Sequence, residues 1–266
     1  MAKLRDKLWL WGQSPDVHYE KDNPYNLPGH SRMTAMEGAV YFDIPNVCRV
    51  RMMGHPMPPY DQESLALDTC KEVVWSLLGA SCEPTTPWGD LDEVCRQAKM
   101  FSNISGGVFD DFFLPERIAE FTPEKLREVK RRLCEKSGRP LDMWVVCYED
   151  KLYEVENIAA WFDTFDVITF WMWNGCNLDK ARSNLMRIRE LAPKKRVMAG
   201  CYLWNYGESC PLTAEQMESQ VALYYELLKR GEVDGIVVCS NCIADLGIEA
   251  VTWMRNWIRE HGDEEI

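Results

Sequence analysis

The chain has 266 residues, of which 46% are hydrophobic, and its formal net charge is -12. This length and apolar content fit one large α/β domain with a sizeable core. The negative charge argues against nucleic acid or an anionic membrane as a partner, because both would repel such a surface. Eleven tryptophans are many for this length, and flat aromatic faces serve both core packing and the binding of sugar rings.

The N-terminal residues and the cysteines bear on localisation. Residues 1–7 are mostly charged, and the apolar run 8–11 is too short for a secretory signal or a membrane span. The eleven cysteines lack the clustered spacing of a zinc site, and Cys239 and Cys242 form a lone CxxC. Buried thiols in a reducing compartment explain this pattern, so we expect a cytoplasmic protein.

Apolar runs alternate with amphipathic segments along the whole chain. Strands are predicted over 8–11, 47–53, 73–78, 107–113, 143–148, 167–173, 197–203 and 235–239. Helices are predicted over about 34–44, 62–71, 91–101, 122–137, 155–162, 178–191, 213–230 and 248–260. Thr34, Thr122 and Thr213 stand where N-caps are expected, and a long polar loop, 14–32, is of the kind that often carries function.

Eight strand–helix units with no linker between them predict a parallel sheet covered by helices. Their number and the chain length match a closed (β/α)₈ TIM barrel, so we predict a single barrel domain over residues 1–266. An open doubly wound sheet is the alternative. It is disfavoured because the first strand–helix turn lacks a glycine-rich phosphate motif.

The stretch 105–113, Ser-Gly-Gly-Val-Phe-Asp-Asp-Phe-Phe, places two adjacent carboxylates in an apolar run. Burying an unpaired carboxylate is costly, so Asp110 and Asp111 either cap the next helix or project into a polar cavity. Because successive strand side chains point to opposite faces, only one of them is expected to face the barrel axis.

Active sites of (β/α)₈ barrels lie at the C-terminal ends of the strands. In this sequence those ends collect acids, amides, aromatic rings and an imidazole. They include Arg51, His55, Asp110, Asp111, Glu149, Trp171, Trp173, Asn174, Tyr202, Trp204, Asn205 and Asn241. The gathering of indoles and amides beside the acids favours a cavity over simple helix capping.

These groups suit the cleavage or binding of a glycoside. Acetal hydrolysis needs one carboxylic acid and a second carboxylate, which Asp110 or Asp111 and Glu149 could supply from neighbouring strands. Arg51 would pair with an inward carboxylate or a substrate anion, or else form an internal ion pair. The other residues, His55 included, would contact the substrate. Hydroxyls of the sugar would form hydrogen bonds with the amides of Asn174, Asn205 and Asn241. The sugar ring would pack against Trp171, Trp173, Tyr202 and Trp204.

The Gly-Gly-Val-Phe-Asp-Asp-Phe-Phe stretch resembles the end of the fourth strand in glycoside-hydrolase-like TIM-barrel proteins, and the eight-unit pattern extends this resemblance over the whole chain. The resemblance implies a catalytic acid at Asp110 or Asp111. The chain departs from the best-known group, which has a glutamate ending strand seven, and from another with an acid ending strand six. Glu149 or Glu83 remains for the second carboxylate.

Two other functions fit the same residues. Asp110, Asp111, Glu149 and His55 could hold Mg²⁺ or Mn²⁺ in a metal-dependent isomerase or lyase. Alternatively, the missing acids on strands six and seven would suit a non-catalytic sugar-binding barrel. The leading hypothesis needs no cofactor and no metal, and its partner is a small-molecule or oligosaccharide substrate.

Overall fold

Eight parallel strands pair in chain order, and the last pairs with the first, so that the sheet closes into a barrel. The computed structural model describes residues 2–19, 22–80 and 87–266. The strands are β1 (Leu8–Gly12), β2 (Asn46–Arg49), β3 (Glu72–Leu78), β4 (Ile104–Phe109), β5 (Asp142–Tyr148), β6 (Val167–Trp171), β7 (Arg196–Tyr202) and β8 (Gly235–Cys239). Closure confirms the predicted (β/α)₈ barrel and excludes the open sheet.

In the described parts of the chain, ten α-helices surround the barrel. They are α1 (Ala35–Phe42), α2 (Asp61–Ala66), α3 (Leu91–Met100), α4 (Pro115–Glu120), α5 (Pro123–Ser137), α6 (Lys151–Glu154), α7 (Ile158–Phe162), α8 (Ala181–Leu191), α9 (Ala214–Lys229) and α10 (Glu249–His261). The hydroxyls of Thr34, Thr122 and Thr213 cap α1, α5 and α9 as predicted, each accepting a backbone N–H three residues on.

Indole rings fill the barrel interior. Trp9 of β1 meets Trp144 of β5 at a ring distance of 4.7 Å, and Trp11 meets Trp171 of β6 at 5.3 Å. Because β1 lies opposite β5 in the closed order, the Trp9–Trp144 pair spans the barrel, and the Trp11–Trp171 pair joins β1 to β6 across the interior. All four side chains are buried, so the barrel has a packed core below its C-terminal face.

Four strands end earlier than predicted, and two of them, β2 and β4, end four residues early. The strand expected over 47–53 ends at Arg49, and the one expected over 107–113 ends at Phe109. In each case, apolar residues follow the last residue that pairs with a neighbouring strand. Amino-acid composition alone therefore does not show where the strand ends. Strict alternation of side chains therefore does not apply at Arg51 or Asp111.

Among the helices of residues 2–19, 22–80 and 87–266, none has the length and apolar character needed to cross a membrane.

Gly106 and Gly107 in the middle of β4 allow its close packing against β5 and against the Leu77 side chain of β3. A Cβ on Gly106 would lie 2.6 Å from the backbone oxygen of Asp142 on β5, a contact that only backbone movement can relieve. We therefore expect Gly106→Ala to lower the free energy of unfolding by roughly 2 kcal/mol or more. Urea unfolding followed by far-UV circular dichroism measures this change.

Gly29→Ala is the matched control. A Cβ there meets only a leucine side chain at 4.0 Å, so the same measurement should change by less than about 0.5 kcal/mol. Equal unfolding midpoints for the two variants would contradict the close packing of β4 against β5.

Candidate active site

A cavity of about 440 Å³ opens at the C-terminal end of the barrel, which is within the usual size of small-molecule sites. Acids, phenols and indoles dominate its wall. The lining includes Trp11, Gln13, His18, Tyr25, Met52, Asp110, Asp111, Phe113, Tyr148, Glu149, Asp150, Lys151, Trp171, Trp173, Asn174, Tyr202, Tyr206 and Cys239. Seven of the predicted site residues thus meet in one cavity: Asp110, Asp111, Glu149, Trp171, Trp173, Asn174 and Tyr202.

Asp110 is the buried acid of this cavity, with 4% of its surface exposed. It follows β4 directly, and its Oδ1 accepts the backbone N–H of Asp111 at 2.9 Å. Burial, reinforced by the neighbouring Asp111 charge, raises the pKa of the Asp110 carboxyl well above its usual value. Asp110 therefore retains its proton at pH values where an exposed aspartate has lost it.

Asp111 also lines the cavity, so the expectation that only one aspartate would face inward is wrong. The chain has left β4 before this residue, and Asp111 adopts a left-handed backbone conformation with φ of 44°. Its Oδ1 accepts the hydroxyl of Tyr148 at 2.8 Å. Burial and the Asp111 charge raise the pKa of Tyr148 well above its ordinary value, so the phenol remains a hydrogen-bond donor.

Arg117 of α4 holds the backbone behind the aspartate pair. Its buried guanidinium donates to the carbonyls of Gly79 and Ala80 at 2.7 Å each, and to those of Asp110 and Asp111. The positive charge of Arg117 also lowers the pKa of Asp110, but burial and the Asp111 charge raise it by more. Arg117 thereby ties the end of β3 to the turn after β4.

Glu149 stands at the cavity rim with its carboxylate surrounded by donors. Oε2 accepts the backbone N–H of Trp173, and Oε1 accepts the N–H and side-chain amide of Asn174 at 3.3 and 3.2 Å. The Asn177 amide donates to Oε1 at 3.3 Å. The carboxylate therefore fixes the loop after β6, which carries Trp173 into the cavity.

Aromatic rings form the other wall. The Trp173 ring lies 5.7 to 6.0 Å from the rings of Tyr25, Tyr148, Tyr202 and Tyr206. The Tyr206 hydroxyl is 2.8 Å from Nδ1 of His18. Burial lowers the pKa of His18 to about 3, so this imidazole is neutral at neutral pH. The long polar loop predicted over 14–32 thus contributes to the cavity.

Arg51 and His55 do not line the cavity. Arg51 forms an ion pair of 3.2 Å with Asp90, which also accepts the Tyr60 hydroxyl at 3.0 Å. This is the internal ion pair that the sequence left as the alternative. His55 is exposed on the turn after Arg51 and bridges to Met52. Both corrections follow from the early end of β2.

Trp204, Asn205 and Asn241 also lie outside the lining, because each secures a loop instead. The Trp204 indole donates to the carbonyl of Tyr25 at 3.0 Å. The Asn205 side chain accepts the N–H of Gly175 at 3.0 Å. Asn241 pairs with both backbone groups of Gln13, at 2.8 and 2.9 Å. These residues were expected to contact a ligand, but here they position the elements that carry the cavity wall.

Several site residues were not predicted. Tyr148 and Tyr206 immediately neighbour predicted positions at the ends of β5 and β7, so a wider reading of those ends would have found them. Arg117 carries no such signal, because a helical arginine ordinarily faces solvent. Glu83 lies outside the described residues. Within the described ranges, no group of three or more His, Cys, Asp or Glu residues is arranged to hold a metal ion.

Neither a protein-family model nor a curated protein matches the sequence. Solved structures do match over nearly the whole chain. A putative α-L-fucosidase from Bacteroides thetaiotaomicron has a TM-score of 0.60 at 11% identity, covering 100% of this chain and 96% of its own. This similarity shows the fold, a closed (β/α)₈ barrel.

Two further structures agree with that fold. A GH18 chitinase from Pseudoalteromonas aurantia has a TM-score of 0.58 at 11% identity, covering 95% of this chain and 99% of its own. The GH113 β-mannanase from Alicyclobacillus acidocaldarius has a TM-score of 0.54 at 14% identity, covering 98% of each chain. The likeness is one of architecture, so chemistry has to be argued from this cavity.

Arg117→Ala should destabilise the fold by roughly 3 kcal/mol or more, because several carbonyls lose their donor while remaining packed against the barrel. Urea unfolding measures this loss. Arg131→Ala is the control: Arg131 forms ion pairs with Glu128 and Glu135 on the exposed side of α5, and such surface pairs contribute about 1 kcal/mol or less. Similar losses for both variants would contradict the role given to Arg117.

Asp110→Asn should make stability less sensitive to pH. Since folding raises the pKa of Asp110, the folded state holds a proton that the unfolded state releases, and stability falls as pH rises between the two pKa values. The variant lacks this loss, so its advantage should grow above about pH 4 by at most about 1.4 kcal/mol per pH unit. Melting temperatures measured from acid to mildly alkaline pH test this expectation.

Asp68→Asn is the control for that series, because Asp68 is an exposed acid beyond α2, near the opposite end of the barrel. Its melting temperature should follow that of the natural chain at every pH. A constant difference between Asp110→Asn and the natural chain would show that Asp110 ionises normally.

Proposed function

We propose that this protein is a glycoside-hydrolase-like enzyme that cleaves a glycosidic bond of a carbohydrate held in the barrel cavity. One observation carries the proposal. Asp110 is a buried carboxyl whose burial raises its pKa well above the usual value, and it lines the cavity beside Asp111. A protonated acid next to a second carboxyl group is the pair that acetal hydrolysis requires.

In this scheme Asp110 is the general acid. It donates its proton to the leaving oxygen as the glycosidic bond breaks, and a raised pKa keeps that proton available. Asp111 is the second carboxylate, which stabilises the positive charge that develops on the sugar ring and directs the attack of water or of another nucleophile. Tyr148 holds Asp111 in place through its 2.8 Å hydrogen bond.

This assignment revises the role predicted for Glu149. The carboxylate of Glu149 already accepts hydrogen bonds from Trp173, Asn174 and Asn177. A nucleophile or base in that position would have to give up these contacts. We therefore assign Glu149 to positioning the loop after β6 and give the second carboxylate role to Asp111.

The cavity wall supports a sugar as the ligand. Trp173 and Tyr202 are partly or largely buried rings that line the cavity, and aromatic rings pack their faces against the C–H face of a pyranose. The side chain of Asn174 and the phenols of Tyr148 and Tyr206 offer polar groups for hydroxyls. An oligosaccharide or a small glycoside is the substrate class that these groups suit.

Two other functions are outcomes of the same tests. A metal-dependent isomerase or lyase would lose its activity on chelation, whereas the acid–base scheme uses no metal and no cofactor. A non-catalytic sugar-binding barrel would bind sugars without turnover, and its binding would be unchanged in Asp110→Asn. Assays of binding and turnover on one preparation, with and without chelator, separate the three.

Asp110→Asn should affect glycosides according to their leaving group. With natural oligosaccharides or alkyl glycosides, loss of the acid proton should lower kcat/KM by roughly 10²- to 10⁴-fold. With dinitrophenyl glycosides the leaving phenolate needs no proton, so the loss should be much smaller. Initial rates measure this difference. Released sugar is followed for the natural or alkyl glycosides, and released dinitrophenolate for the dinitrophenyl glycosides.

Asp68→Asn, which makes the same substitution far from the cavity, should leave both rates unchanged. Equal losses of Asp110→Asn on both kinds of substrate would contradict the acid role. Turnover of neither substrate by the natural chain, together with sugar binding, would favour the non-catalytic barrel.

A further inference from the structure

The charges around the cavity are unevenly distributed. Besides the buried acid Asp110, three carboxyl groups line it, on Asp111, Glu149 and Asp150. Within the described part of the lining, Lys151 is the basic side chain that is charged at neutral pH, and it is held by Asp150 and Glu154 at 2.8 Å each. The second basic group, His18, is buried and neutral. The cavity therefore presents negative charge to a ligand.

The aromatic wall adds a second feature. Trp173 lies amid Tyr25, Tyr148, Tyr202 and Tyr206, and all five residues line the cavity. Aromatic rings attract a cation that approaches their faces. The Tyr148 hydroxyl already binds Asp111, so an acid and the ring cluster meet at one place. Aromatic faces beside a carboxylate are the chemical surroundings that bind an ammonium group.

Charge also separates the competing classes of sugar. A uronic acid, a sulfated sugar or a sugar phosphate would bring an anion among carboxylates, with the described cation already paired. A neutral or N-acetylated sugar would contact the rings and amides but would bring no positive charge to pair with the carboxylates. A sugar with a free amine uses both features.

We propose that the cavity binds a sugar that carries a free, protonated amino group, with Asp111 and the rings around Trp173 as the groups that recognise the ammonium. This inference rests on the proposed function, which places a carbohydrate in the cavity, and it names the class of that carbohydrate. The net charge of -12 adds long-range attraction for a polymer of such amino sugars.

Binding of simple glycosides tests the inference without requiring turnover. The probes are the methyl α- and β-glycosides of glucosamine and galactosamine, each with its N-acetylated and its hydroxyl counterpart, titrated calorimetrically at slightly acidic pH. We expect at least one amino sugar to bind roughly 10- to 100-fold more tightly than both of its counterparts. Equal or weaker binding of the amino sugars, or no detectable binding of any of them, would overturn the inference.

Two variants locate the recognition. Asp111→Asn should reduce the ratio of amino-sugar affinity to hydroxyl-sugar affinity by roughly tenfold or more, because it removes the carboxylate that would pair with the ammonium. Asp68→Asn removes the same charge from a distant surface and should keep the preference. An equal reduction in both variants would assign the preference to the net charge and overturn the role of the cavity.

The outcomes distinguish a failure of this inference from a failure of the proposed hydrolysis. Tight binding of amino sugars without any turnover would leave this inference standing and remove the proposed function. Turnover of neutral glycosides with no preference for the amine would do the reverse.

Discussion

The buried guanidinium of Arg117 is the contact on which the candidate site depends. It donates to carbonyl groups at the end of β3 and in the turn after β4. Without this cation, backbone oxygens from two neighbouring segments would face one another with no donor between them, which is costly in a packed interior. The turn it stabilises is also the one that brings Asp110 and Asp111 into the same cavity.

A second layer of polar contacts holds the loops around the rim. Glu149 accepts the donors of the loop after β6, Asn205 holds the next part of that loop, and Asn241 pairs with the backbone after β1. In each case, one side chain forms hydrogen bonds with backbone groups that lie beyond the end of a strand and have no partner in a neighbouring strand. The ligand-facing wall is therefore built from rings and acids, while amides one layer behind keep it in place.

The architecture could be predicted from the sequence because strands and helices have characteristic periodic patterns of hydrophobic residues. The strand predicted over 235–239 matches β8, and Thr122 caps its helix as expected. The ends of strands are harder, since hydrogen bonding to a neighbour decides where a ladder stops. Phe112 and Phe113 prolong the apolar run past the end of β4, which is why the backbone turn at Asp111 was not foreseen.

The site residues divide in the same way, into those that position along a strand predicts and those that depend on the path of a loop. Strand-end acids and aromatics could be named from position, whereas contact with the cavity depends on loops whose path the sequence does not encode locally. Trp204 illustrates this, because its indole binds the backbone of Tyr25, which is remote in the chain. Arg117 was unforeseen for another reason: nothing in the composition of a short helix distinguishes an arginine that turns inward.

The tryptophans that cross the barrel give the cavity a floor. Trp11 and Trp171 belong both to the interior packing and to the cavity lining, and Trp9 and Trp144 close the layer beneath them. Four buried indoles thus separate Asp110 from bulk water on the far side of the barrel. Under the proposed function, a proton that Asp110 donates has to be replaced from the open end of the cavity, so a bound substrate would also slow proton exchange between the acid and solvent.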